Sequence, residues 1–174
     1  MWFDVVLWKE VVKEINARMQ SIDPGNAAYY EERTNAYLEE LDSLHNWVKT
    51  EIASISEQQR VLITAHDAFE YFGRQYDIEV RGLQGISTLS EYGLQDIVSM
   101  VDFLVESNIK AVFVESSVPE KALQAVVEGA ADRGHDIRIG GTLYSDAMGS
   151  EGTPEGTYTG MVRHNVNTIT GALK

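Results

Sequence analysis

The sequence contains no cysteine, only three prolines among its 174 residues, and no apolar run long enough to cross a membrane. The absence of cysteine excludes disulfides, thiolate metal ligands and cysteine nucleophiles, so any metal ion must be bound by His, Asp, Glu or backbone oxygen. Basic residues are also scarce, and the formal net charge is -13. Such a surface repels phosphate groups, which makes nucleic acids and anionic membranes unfavourable partners.

Other familiar signals are missing as well. The chain begins Met1-Trp2-Phe3-Asp4, without the basic segment and apolar segment of an export signal, so we expect no targeting signal in it. No glycine-rich loop of the phosphate-binding kind opens a predicted helix. What remains is a chain of 44% hydrophobic residues, enough to bury the core of a folded α/β protein.

Two helices are predicted at the N-terminal end. Apolar residues at helical spacing follow Asp4, a residue type that caps helices, and continue to Ile22. A second apolar stripe, with steps of three, four or seven residues, predicts one long helix over residues 24–55. A helix of that length needs packing partners along its whole length, so it either connects two lobes, lies across one sheet, or is covered by another chain.

The pattern changes near Ser56 to alternating strands and helices. Strands are predicted at residues 61–65, 78–83, 111–114 and 137–139, with helices at 67–75, 90–106, 119–133 and 157–173. This order is typical of a four-stranded, mainly parallel sheet with helices on both faces. We therefore predict an α/β fold with a helical segment at residues 1–57, including the long helix, and an α/β lobe at residues 58–174.

The residues that follow the predicted strands indicate where a ligand binds, because the carboxyl ends of parallel strands meet at one edge of the sheet. His66 follows the first strand, residues 84–87 the second, Glu115 the third, and Asp146 lies beyond the fourth. An imidazole with carboxylates suits Zn²⁺, Mn²⁺ or Fe²⁺. Each residue also has a simpler interpretation: His66 bonded to backbone near a helix start, Glu115 tying down a loop, and Asp146 in a turn.

A hydrolase is the enzymatic alternative for the same edge. His66 with Asp67 or Asp146 would act as base and Ser116 or Ser117 as nucleophile. The Gly-x-Ser-x-Gly pattern of a nucleophile elbow is absent around these serines, which disfavours this interpretation. The other three histidines, at positions 45, 135 and 164, fall within helices or a turn, where a solvated or capping role is expected.

Four stretches together resemble the metal-specific solute-binding proteins of zinc, manganese and iron ABC transporters. They are residues 65–72 (AHDAFEYF), 82–88 (GLQGIST), 112–117 (VFVESS) and 143–149 (LYSDAMG). The resemblance implies a non-enzymatic protein with two α/β lobes joined by a long helix, and one metal ion bound between the lobes by four side chains. It implies that His66 and Asp146 are the two ligands of the C-terminal lobe, with Glu115 behind them as a supporting carboxylate.

The resemblance also implies that this chain is only the C-terminal half of such a protein. In the family, the other lobe supplies two histidines, the second of them immediately before a segment like Trp2-Phe3-Asp4. We therefore expect weak Zn²⁺ or Mn²⁺ binding, or none, from this half alone, with the imidazole favouring Zn²⁺. Without the partner lobe, an apolar surface would be exposed, which favours a homo-oligomer. The alternative to a metal-binding lobe is a truncated domain with a structural or self-association role and no metal binding of its own.

For the intact family member, the resemblance implies a periplasmic or extracellular lipoprotein that delivers the metal ion, its cargo, to a membrane permease.

Overall fold

The N-terminal region of the computed structural model, which describes residues 1–84, 93–117 and 119–174, is a pair of antiparallel helices. Helix α1 spans Val5–Ile22, and Asp4 caps it as predicted: its Oδ1 atom accepts hydrogen bonds from the backbone N–H groups of Val6 and Leu7 at 2.9 and 3.1 Å. Helix α2 spans Ala27–Ala53. It begins three residues later than predicted because Pro24–Asn26 forms a separate 3-10 turn.

Four parallel strands form one sheet, as predicted, and the second, first, third and fourth strands along the chain lie side by side in that order. Their bounds are Val61–His66 for β1, Glu79–Gln84 for β2, Ala111–Glu115 for β3 and Arg138–Leu143 for β4. The prediction for β4 was four residues too short at its C-terminal end, since Gly140 and Gly141 are poor strand formers. A Cβ atom on Gly140 would lie 2.7 Å from the Phe113 ring, so close packing against β3 explains this glycine.

Four further helices cover both faces of the sheet, again as predicted. They are α3 at Glu70–Tyr76, α4 at Leu94–Glu106, α5 at Lys121–Asp132 and α6 at Tyr158–Leu173, with short 3-10 turns at Glu57–Gln59 and Pro154–Gly156. Helices α4 and α5 pack on one face, and α1, α2, α3 and α6 pack on the other. The predicted start of α4 at residue 90 lies outside the described residues.

The start of helix α3 differs from the prediction in a way that affects the candidate site. The predicted helix began at Asp67, but α3 begins at Glu70. Instead, the backbone N–H of Ala68 donates to the carbonyl oxygen of His66 at 3.0 Å, which forms a tight turn directly after β1. Residues 67–69 are therefore part of the loop at the carboxyl edge.

The two halves of α2 have different surroundings. Its C-terminal half buries Leu41, Leu44, Val48 and Ile52 completely against the sheet and α6. Its N-terminal half has no buried residue and packs beside α1. Around that end of the helix pair, four apolar side chains are well exposed: Ile15 (54%), Met19 (41%), Ile22 (81%) and Tyr29 (60%). In the part of the chain that the structure describes, no helix combines the length and apolar character needed to span a membrane.

Candidate metal centre

His66 is the last residue of β1 and is held from two sides. The strand extends one residue further than predicted, and the His66 side chain is only 4% exposed. Its backbone N–H donates to Oε1 of Glu115 at 2.9 Å. The second oxygen of the same carboxylate, Oε2, lies 2.6 Å from Nδ1 of the ring. The ring is thereby fixed with Nε2 on the opposite side.

Glu115 ends β3, the strand beside β1, and is buried at 3% exposure. Burial raises the pKa of its carboxyl above the ordinary value, and the His66 N–H group, the His66 ring and the Ser145 hydroxyl partly offset that rise. Both of its oxygen atoms contact His66. Glu115 is therefore placed to hold and orient the imidazole.

Asp146 lies three residues beyond the end of β4, on a loop that hydrogen bonds anchor to other elements. Asn165 of α6 accepts from the backbone N–H of Tyr144 and donates to its carbonyl, at 2.9 and 2.8 Å. The hydroxyls of Ser145 and Ser117 are 2.7 Å apart. The Oδ2 atom of Asp146 lies 3.7 Å from Nε2 of His66, although the Asp146 side chain is 58% exposed.

The structure thus brings together the three residues selected from the sequence, at the carboxyl edge of the sheet. Two of them, His66 and Asp146, border a cavity of about 370 Å³ whose lining also includes Trp2, Phe3, Asp67 and Ser145. Burial raises the pKa of Asp67, with the neighbouring Glu70 carboxylate adding to the rise. Of these additional residues, Asp67 was noted in the sequence as the neighbour of His66, and Ser145 as part of residues 143–149. Trp2 and Phe3 were noted only as the segment that follows a histidine in the family, and nothing in the sequence placed them beside His66 and Asp146.

The pair of Nε2 and Oδ2 atoms has a geometry that suits a metal ion. Two ligand atoms, each about 2.0 Å from a tetrahedral Zn²⁺, are about 3.3 Å apart, slightly less than the 3.7 Å seen here. A small rotation of the exposed Asp146 side chain closes that difference. Within residues 1–84, 93–117 and 119–174, no three His, Asp or Glu side chains form a group that could hold a metal ion.

The serines of the hydrolase alternative and the other three histidines are not hydrogen-bonded to the His66 ring among the described residues. Ser117 bonds to Ser145, and the described contacts of the His66 ring are with Glu115 and Asp146, so no serine among the described residues is paired with it. The remaining histidine rings bond elsewhere: His45 to the Tyr76 hydroxyl, and His135 and His164 to the carbonyls of Ile109 and Thr142. The sequence also placed residues 85–87 at this edge of the sheet, but they lie outside the described residues.

Comparison with known proteins adds independent information. A family described as ZnuA, zinc-uptake complex component A periplasmic, matches residues 1–172. The manganese-binding lipoprotein MntA of Bacillus subtilis is 56% identical over 174 residues, which are 100% of this chain and 57% of that protein. The metal ABC transporter substrate-binding lipoprotein SloC of Streptococcus mutans is 30% identical over 172 residues, which are 99% of this chain and 55% of that protein.

The solved structure of the periplasmic zinc-binding protein TroA from Treponema pallidum superposes with a TM-score of 0.95 at 45% identity. The match covers 99% of this chain and 62% of that chain. The chain therefore spans little more than half the length of the relatives it matches.

Proposed function

Because the chain belongs to the ZnuA family of metal-binding solute-binding proteins, we propose that it is the metal-binding C-terminal lobe of an ABC transporter substrate-binding protein. Its cargo is Zn²⁺ or Mn²⁺, its ligands are His66 and Asp146, and Glu115 orients the imidazole. The observation that carries the proposal is the 3.7 Å separation of Nε2 of His66 and Oδ2 of Asp146, two residues that line the same cavity. In this proposal the protein binds and releases its cargo and catalyses no reaction.

The chemistry of the two side chains supports this role. Because Nδ1 of His66 faces the Glu115 carboxylate, the lone pair of Nε2 on the other side of the ring is available for a metal ion. Asp146 adds a negative charge, which favours a cation over a neutral ligand. Two ligands leave half of a tetrahedral site open, and we propose that the remaining ligands come from outside this chain, in the other lobe of the intact protein.

The cargo and the context of the intact protein are part of the same proposal. The relatives include a manganese-binding lipoprotein and a periplasmic zinc-binding protein, so their names support either metal. An imidazole ligand favours Zn²⁺, the softer of the two ions. We propose that residues 1–57 form the helical connection between lobes and residues 58–174 the C-terminal lobe. We also propose that the intact protein works outside the cytoplasm and delivers its cargo to a membrane permease.

A Zn²⁺ titration of the chain and of an Asp146→Ala variant tests the proposed ligands. We expect weak binding by the unaltered chain, and about 10- to 100-fold weaker binding after the loss of the Asp146 carboxylate. Isothermal titration calorimetry at neutral pH, extended to millimolar Zn²⁺, measures both affinities. Asp132→Ala is the matched control, because it removes one exposed carboxylate from the end of α5, at the opposite edge of the sheet.

Two outcomes would contradict the proposal. Equal affinities of the unaltered chain and the Asp146→Ala variant would place the metal elsewhere on the acidic surface. No binding even at millimolar Zn²⁺ would favour the alternative, a domain with a structural or self-association role and no metal binding of its own.

The exposed apolar residues of the α1–α2 pair favour self-association as a second property of the isolated chain. Ile15, Met19 and Ile22 are spaced as neighbours on one helix face, and Tyr29 lies at the start of α2. We expect sedimentation velocity at tens of micromolar to show a homodimer, since a symmetric dimer covers such a surface. Replacing Ile22 by glutamate is expected to restore the monomer, because it places a charge in the apolar contact.

Leu94, 78% exposed at the start of α4, provides the control for self-association. Leu94→Glu also replaces an exposed apolar side chain by a charged one, but on the other face of the sheet, so it should leave the dimer intact. A chain that sediments as a monomer at these concentrations would exclude self-association through this surface.

A further inference from the structure

We propose that Trp2 is a positioning residue of the metal site: its indole N–H holds the loop that carries Asp146 at the correct distance from His66. The inference rests on the proposed function, because it assigns a role to Trp2 through a ligand named there. It adds a residue that lies far from both ligands in the sequence.

The inference rests on a hydrogen bond between two residues that are far apart in the sequence. The Nε1–H group of Trp2 donates to the carbonyl oxygen of Ser145 at 3.1 Å, 143 positions later in the sequence. Ser145 directly precedes Asp146, so this bond acts on the peptide unit that leads into the proposed ligand. The backbone carbonyl of Trp2 in turn accepts a hydrogen bond from the Tyr158 hydroxyl at 3.0 Å. Tyr158 therefore holds Trp2 in place, and Trp2 in turn holds the loop.

Aromatic packing keeps the indole in place and connects it to the other ligand. The Trp2 ring makes edge contacts with Phe3, Trp8 and Tyr158, at centroid distances of 5.7 to 5.9 Å. Phe3 stacks on Phe69 at 4.5 Å, three residues after His66. Two consecutive side chains thus contact both loops of the site, Phe3 the loop after β1 and Trp2 the loop after β4.

The two proposed ligands depend to different degrees on the contacts of Trp2 and Phe3. His66 is part of a strand between two neighbouring strands, and Glu115 contacts both its backbone and its ring. Asp146 lies beyond the last residue of the edge strand β4, where the sheet provides no ladder hydrogen bonds. On this side the Ser117–Ser145 hydroxyl contact and the Trp2–Ser145 bond hold the loop next to the ligand. Loss of the indole donor should allow Asp146 to move away from His66.

Trp2→Phe tests the inference because it removes the indole N–H and keeps an aromatic ring in the cluster. Trp8→Phe is the matched control: Trp8 stacks on Tyr158 at 5.0 Å in the same cluster, while the bond to Ser145 belongs to Trp2. We expect Trp2→Phe to weaken Zn²⁺ binding about 3- to 10-fold, the loss of one net hydrogen bond, and Trp8→Phe to change it less than about 2-fold.

Nuclear magnetic resonance measures two quantities that should not change if Trp2 only contributed to packing: the indole N–H signal of Trp2 and the exchange of the loop amides. The chain has three tryptophans, hence three indole N–H signals, and the Trp2 signal is identified by its loss in Trp2→Phe. We expect diamagnetic Zn²⁺ to shift this signal more than the other two. In the metal-free chain, amide exchange at Ser145 and Asp146 should become several-fold faster in Trp2→Phe than in Trp8→Phe.

The outcomes separate this inference from the function on which it rests. If Asp146→Ala weakens Zn²⁺ binding but Trp2→Phe changes neither the affinity nor the exchange of the loop, only the role of Trp2 is overturned. If Asp146→Ala leaves binding unchanged, or the chain binds no Zn²⁺, the proposed function is rejected and the positioning role with it.

Discussion

Replacing His66 by alanine is expected to abolish measurable Zn²⁺ binding, with a loss of more than about 100-fold in affinity. In the proposed site His66 is the more rigid of the two ligands, since β1 and Glu115 hold its ring with Nε2 toward Asp146. Asp146 alone, on an exposed loop, would bind a divalent cation no better than other surface carboxylates. Calorimetric titration of the variant with Zn²⁺ and Mn²⁺ measures the loss.

His135→Ala is the control for this experiment. That imidazole bonds to the carbonyl of Ile109 and lies near the amino end of β4, at the opposite edge of the sheet. The variant removes one of the four histidines and should bind metal like the unaltered chain. Far-UV circular dichroism of both variants shows whether they fold. A folded His66→Ala chain with affinity within a factor of about 2 of the original would refute the assignment of His66.

Replacing Phe113 by alanine should lower the free energy of unfolding by about 3–5 kcal/mol, because it leaves a cavity under the sheet. Phe113 is fully buried on β3, which lies between β1 and β4, and its ring packs where a Cβ atom on Gly140 would clash. The expected fall in melting temperature is on the order of 10 °C for a chain of this size. Urea unfolding followed by tryptophan fluorescence, together with a thermal scan, measures both quantities.

Phe103→Ala is the matched control for the core. Phe103 is only partly buried on α4, where the guanidinium of Arg81 lies 3.6 Å from the centre of its ring. The same truncation there should cost less than about 2 kcal/mol, since a surface site loses little apolar burial. Equal losses for the two variants would contradict the placement of Phe113 in the core.

The order of helices and strands followed from local patterns, because apolar spacing reports which side of each element faces the interior. The errors in element bounds had two causes: tertiary packing that overrides a local preference, and short turns that delay the start of a helix. Gly140 is a poor strand former, yet it lies in β4 because a side chain there would meet the Phe113 ring. Asp67 resembles a helix start, yet the turn between Ala68 and His66 delays α3 to Glu70.

The candidate site was predictable to the extent that topology alone brings residues together. His66, Glu115 and Asp146 were selected because they follow different parallel strands, and such residues must meet at one edge. That Glu115 faces His66 with both oxygens, and that Asp146 lies 3.7 Å from Nε2, depend on side-chain positions that strand order does not specify.

By itself, the sequence determined the parallel α/β architecture, the absence of thiolate chemistry and the three polar residues at the carboxyl edge. Each of these follows from residue type and from spacing along a few turns or one strand. Only the tertiary structure decided that Trp2 bonds to Ser145 and that Phe3 stacks on Phe69. Those contacts join segments far apart in the chain, and they form because aromatic rings pack wherever the folded helices leave space, which no local pattern encodes.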